Sequence, residues 1–244
     1  MTETIALGDI EIAVTRKAVK HVHLSVHPPL GHVTLVAPTT TRLEVARAYA
    51  ISKLGWIHDQ QTKLLAQARE TPRRFVERET HYLWGCRYLL SVVKKDAKPT
   101  ATKDHRRITL TVRPGSTLAK RQEVMDEWHR ALMHQAVPAL IEKWELKLGV
   151  KVSGYFLQRM KTKWGGCNHR AGNIRLNTEL VKKPRDLLEY VVVQEMLHLV
   201  EPNHSERFVA LLEQHYPTWR EARAELNELP LAAETWNRIT FFSE

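Results

Sequence analysis

The sequence predicts an α+β fold. Short segments alternating apolar and polar residues crowd residues 4–112, around one long helical stretch. Two further helical stretches, at about 118–148 and 184–200, dominate the rest of the chain. Strands gathered in one half and helices in the other argue against a regular β-α-β alternation. The division expected is a β-rich region over residues 1–115, a core over 116–230 and a tail over 231–244.

Taken in order, residues 4–14 alternate loosely around Gly8-Asp9 and predict a hairpin. Residues 19–27 have the period of a half-buried strand, and Val33–Ala37 form its return after a turn at Pro28, Pro29 and Gly31. His21, His23 and His27 share one face of that strand; they read as a solvated face before they read as metal ligands. Thr39-Thr40-Thr41 offer N-caps for a helix from Arg42 to about Gln67, with Leu43, Ala46, Ala50, Leu54, Ile57 and Leu64 on its stripe. A charged linker over 69–80 leads to a strand pair around Gly85, a polar loop over 95–106 and a strand at Ile108–Val112. The helix expected over Leu118–Leu148 carries a stripe of Val124, Trp128, Leu132, Ala136, Leu140 and Trp144, and Pro138 predicts a kink or break. Val150–Leu157 read as a strand, 159–170 as a basic loop, and Ile174–Thr178 as one more strand. No internal repeat is visible in the sequence.

Lys and Arg number 37 against 27 Asp and Glu, a formal net charge of +10 that favours an acidic partner, nucleic acid first. Two distant cysteines, Cys86 and Cys167, exclude a disulfide framework and a C-x-x-C zinc ribbon. No apolar run approaches the roughly 18 residues of a membrane span, and no signal peptide opens the chain, so a cytoplasmic protein is expected.

The chemistry concentrates at Val191–His204. Pro184 suits a first helical position and Asp186 a first turn. Leu187–Val200 is almost wholly apolar and too long for a typical strand, so a buried helix ending before Pro202 is expected. At 100° per residue, Gln194 and His198 lie 40° apart on one face. Glu195 sits beside them, and a buried carboxylate needs a partner. Asn203 and Glu206 suggest a capping box opening a new helix, with His204 in its first turn. Position 194, His198 and His204 would then converge as three ligands around an open position, the arrangement of catalytic zinc. The competing reading is a helix with a satisfied core histidine.

The motifs resemble those of the YgjP-like metallopeptidases, relatives of the SprT-like and WLM zinc proteases. The resemblance rests on Lys161-Thr162-Lys163-Trp164-Gly165-Gly166-Cys167, on Leu176-Asn177, on Tyr190-Val191-Val192 with Gln194-Glu195-Met196-Leu197-His198, and on His204-Ser205-Glu206-Arg207-Phe208. It implies a zincin-like metallopeptidase core that hydrolyses peptide bonds with a zinc-activated water. It makes Glu195 the general base and His198 and His204 metal ligands. Two positions depart from the pattern. Gly166 replaces a serine, and Gln194 stands where the first H-E-x-x-H histidine belongs.

An amide oxygen is a poor substitute for imidazole, so Zn2+ is expected to be weakly held or absent and activity low. His129, His134, His169 and Glu201 are weighed as replacement ligands. Protein or peptide is the expected substrate, pairing with the edge of the Ile174–Thr178 strand. Lys161, Lys163, Arg170 and Arg175 form a basic cluster for substrate or DNA phosphates, and Trp164 reads as a core plug more than a cleft wall. The alternative function is a catalytically silent DNA- or peptide-binding module.

Overall fold

The alternation read in the first forty residues builds one sheet. The structure, a computed structural model, describes residues 2–27, 31–66, 72–160 and 163–229, and the chain divides into two units, one up to Arg69 and one from Glu70. In the first unit, β1 (Thr2–Leu7), β2 (Ile10–Lys17), β3 (His23–His27) and β4 (His32–Pro38) stand in the order β1-β2-β4-β3. The outer pairs are antiparallel and β2 runs parallel to β4. Gly8, at φ +64, supplies the left-handed residue of the first hairpin. One face buries Ile12, Val14, Val33 and Leu35. His23 and His27 are exposed, and the His27 ring reaches Thr34 Oγ1 at 2.7 Å, as befits a solvated face. Pro28 and Pro29 lie outside the described residues.

The single helix expected over 42–67 is two, α1 (Leu43–Ser52) and α2 (Leu54–Ala66). They part at Lys53, where Ser52 Oγ bonds back to the Tyr49 carbonyl at 2.7 Å and Gly55 follows, weakening the helix on both sides. The threonines do not cap it; Arg42 occupies the N-cap without a side-chain bond. Of the stripe, Ala46, Ala50 and Ile57 complete this unit's core and Leu43 and Leu54 are only partly covered against it; the burial of Leu64 is outside the described residues.

The second unit opens with β5 (Thr80–Leu83), β6 (Cys86–Lys94), β7 (Thr100–Lys103) and β8 (Arg107–Val112), in the order β5-β6-β8-β7. Here too the outer pairs are antiparallel and the central pair, β6 with β8, is parallel. The two sheets therefore share one topology, a structural repeat that the sequence hides. β7 lay inside the expected polar loop: of its four residues only Ala101 is buried, too short an alternation to detect. This sheet belongs to the unit that holds the later helices, whereas the expected division grouped it with the N-terminal strands.

Helix α3 (Leu118–Leu148) has the expected bounds and runs on through Pro138. Thr117 caps it, accepting from Lys120 N at 3.2 Å, and Gly149 closes it at φ 65. Val124 and Trp144 are buried as expected, but between them the buried stripe is turned by one residue, through Met125, His129, Met133, Val137 and Ile141; Trp128, Leu132, Ala136 and Leu140 are only partly covered. Hydropathy steered the expectation away from a stripe that includes histidine. The first half of α3 packs on β7 and β8, and the second half on the core of the candidate site.

His129 gives the fold a pH dependence. Burial foremost, then the nearby charges of Lys182 and His81, pushes its pKa down to about 3, and Nε2 has no hydrogen-bond partner. The folded value lies below the unfolded one, so this stability is complete above pH 6.5 and drains away as pH falls toward 3. Asp126 opposes the trend, because burial raises its pKa. The parent should lose roughly 2–3 kcal/mol more than His129→Leu between pH 7 and 4.5. Urea unfolding at the two pH values checks this; equal losses would contradict it.

The remaining elements are β9 (Gly154–Gln158), β10 (Gly165–Asn168) and β11 (Asn173–Asn177), a 3-10 turn at Thr178–Lys182, and the helices α4 (Arg185–Leu197), α5 (Glu206–His215) and α6 (Trp219–Glu228). The sheet order is β10-β11-β9, with β11 parallel to β9. β10 was hidden in the basic loop, since Gly165 and Gly166 mask a strand. The α4 residues Val191, Val192 and Met196 meet Ile174 and Leu176 of β11 in the largest core. Among the described residues no helix is long and apolar enough to cross a membrane.

Candidate metal centre

Helix α4 begins and ends inside the expected limits. Pro184 is its N-cap rather than its first residue. The N–H groups of Leu199 and Val200 bond to carbonyls three residues back, which tightens the chain into a turn before Pro202. The β5–β6 hairpin meets the start of the helix: Trp84 N bonds to Val181 O at 2.8 Å, and the Arg185 guanidinium lies 4.5 Å from the Trp84 ring centroid.

Tyr190, Gln194 and His198, spaced by four, line a cleft of about 460 Å³ together with Glu195. The opposite wall is β10, which is the edge strand; β11, expected at the cleft, lies in the middle of the sheet. Gly165 is needed there, because a Cβ at that position would sit 2.6 Å from Glu195 Oε1. Gly166 faces open space, so the serine of the pattern is sterically indifferent. Trp164 both borders the cleft and packs on the core.

Glu195 is 4% exposed, and its pKa is pushed up to about 7 by burial, against the pull of Lys163. Its charge adds to burial in raising the Cys167 thiol to about 11, so that thiol stays protonated. His198 is held below its usual value, burial leading, so the neutral ring prevails. Its Nδ1 lies 3.1 Å from the Glu201 carbonyl, which can only accept; the lone pair is thereby on Nε2, the nitrogen left for a ligand.

The α4–α5 connection brings in His204. Its ring centroid lies 4.7 Å from that of His198, edge to face. Phe208 explains the spacing of the H-S-x-x-F motif: it stacks on His198 at 4.4 Å and meets His204 edge-on at 4.9 Å. The cap of α5 differs from the expected Asn203–Glu206 box. Ser205 is the N-cap, accepting from Phe208 N at 3.3 Å, while Asn203 N is engaged by the Glu201 carboxylate at 3.4 Å. His204 consequently precedes the helix rather than lying in its first turn.

The donor set fits a zinc ion incompletely. Two imidazoles are strong donors, and Gln194 adds an amide in the third place. Among the described residues no three His, Cys, Asp or Glu side chains gather as a metal site. Of the four weighed substitutes, His169 lines the cleft. His129 is buried near Lys182, His134 bonds the Tyr155 hydroxyl, and Glu201 serves His198 through its backbone carbonyl. Lys163, Arg170 and Arg175 are exposed, and Lys163 lines the cleft; Lys161 lies outside the described residues.

Asn177, quoted in the sequence only as a motif, fixes this wall. Fully buried, its amide donates to the carbonyls of Met160 (3.0 Å) and Lys163 (2.7 Å) and accepts from Met160 N and Glu179 N. A polar residue closing a strand is the signal that marks such a clamp.

A profile described as the YgjP-like metallopeptidase domain matches residues 20–229. No curated protein matches the sequence. Among solved structures, the chain is similar to the metallopeptidase zymogen abylysin of Pyrococcus abyssi, at 20% identity and TM-score 0.35 over 37% of this chain and 90% of the other. It is also similar to the metallopeptidase zymogen jannalysin of Methanocaldococcus jannaschii, at 18% identity and TM-score 0.33 over 37% and 92%.

Proposed function

Because the chain belongs to the YgjP-like metallopeptidase family, we propose that the cleft is a zincin-like peptidase site, kept at low activity by Gln194. The observation that carries the reading is the meeting of the His198 and His204 rings over Phe208, beside the buried Glu195. His198 and His204, with Gln194 as the weak third donor, would hold the zinc. When bound, the metal supplies polarisation of a peptide carbonyl and acidification of water. Glu195 is the base: its pKa of about 7 lets it take a proton from water and return it to the leaving amine near neutral pH. The outer edge of β10 gives an extended peptide its main-chain partners, and Gly165 lets that strand approach Glu195 closely.

Zinc titration with mass-spectrometric metal analysis tests the site. The parent should take up one zinc per chain, weakly, and His204→Ala should take up none. Equal uptake by the two would remove the ligand assignment.

A second reading, a silent nucleic-acid-binding module, draws on the +10 charge and on Lys163, Arg170 and Arg175, all exposed. It predicts weak, sequence-independent DNA binding whose affinity falls steeply with salt, by on the order of tenfold or more between 50 and 200 mM. Fluorescence anisotropy with duplex and single-stranded DNA measures it. Absence of binding at micromolar protein and low salt rules the reading out.

A further inference from the structure

A second cavity, of about 390 Å³, adjoins the cleft and shares Tyr190, Gln194, His204 and Arg223 with it. Its other walls are apolar, formed by Phe208, Leu212 and Trp219. One polar feature stands out. Arg223 lies one helical turn further along α6 and is exposed, with no carboxylate paired to it among the described residues. Its neighbour Arg220, by contrast, is paired with Glu213 and stacks on the Trp219 ring at 4.6 Å. The cavity thus offers an unpaired cation beside apolar walls. That combination suits an anion with an apolar body, and a planar carboxylate matches a guanidinium best.

We propose that this side pocket is a carboxylate-binding subsite, in which Arg223 holds an acidic group of a peptide lying in the cleft and the apolar walls take its carbon chain. The carboxylate comes either from an aspartate or glutamate side chain or from a free C-terminus. The proposal rests on the peptide-cleft reading for its substrate, but the pocket can be probed without it.

Isothermal titration would compare 3-phenylpropionate with 3-phenylpropanamide, which share a shape and differ in charge. The acid should bind about tenfold more tightly than the amide, the worth of one charge-assisted contact. Arg223→Gln should abolish the difference. Arg106→Gln, which removes an exposed charge from β7–β8, controls for general attraction to a basic protein and should keep the preference. Equal binding of acid and amide, or an equal drop in Arg106→Gln, overturns the subsite. A second arm uses peptides with an internal glutamate or glutamine, each as C-terminal acid or amide, and identifies which carboxylate is taken. If the small acid binds as expected and no peptide does, the subsite stands and the peptide-cleft reading falls. If peptides bind with no regard to charge, the cleft stands and the subsite falls.

Discussion

Gln194→His should raise zinc affinity by roughly a thousandfold, more than the 10–100-fold attached to outer-shell partners of metal ligands. The backbone need not move. Gln194 already lies one turn before His198 on the cleft face of α4, and His204 already meets His198 at 4.7 Å. The new imidazole completes three strong donors around an open position. Peptidase activity on an unstructured protein such as casein should appear with the metal. Glu195→Gln in the same background should keep the zinc and lower the rate by about 10²–10⁴-fold, since ligation and proton transfer are separate roles. Zinc content and cleavage rate are measured for the parent and both variants. A parent that already binds and cleaves like Gln194→His would show that the amide suffices or that another residue serves.

Asn177→Ala should cost about 2–4 kcal/mol, because Asn177 is itself fully buried and two carbonyls and two N–H groups lose their partner. At 2–4 °C per kcal/mol for a unit of this size, that is a fall in Tm of about 10 °C. Asn177→Asp should be no milder, since it sets a carboxylate against the Met160 and Lys163 carbonyls. Urea and thermal unfolding give the numbers, and a loss below 1 kcal/mol would deny the clamp. The damage should extend to the cleft, because the same hydrogen bonds hold Lys163, whose charge opposes the rise of the Glu195 pKa.

The α+β class, the first hairpin, α3 and α4 were legible because each has a strong period or an apolar run with a clear stop. The meeting of His198 and His204 was legible for the same reason: Pro202 forces a turn between them. Five features were not. β7 and β10 are four residues each, below the length at which alternation rises above chance. The break at Lys53 depends on one serine bond and one glycine. The burial of His129 runs against hydropathy, so the middle of the α3 stripe, between the correctly placed Val124 and Trp144, is one residue out of register. The side pocket depends on Arg223, an exposed helix residue with nothing in its neighbours to mark it.

The shared topology of the two four-stranded sheets has a consequence for how the chain reaches its fold. β2 and β6 each need a parallel partner delivered by a later hairpin, and those partners, β4 and β8, alternate buried and part-buried residues in the same way. A full-length chain diluted from denaturant meets both choices at once, and strand exchange between the sheets is its natural error. A chain leaving the ribosome does not. The first 69 residues hold every strand of one sheet, and the second sheet follows only after roughly several seconds of further synthesis. Order of emergence separates two look-alike pairings that composition leaves nearly degenerate.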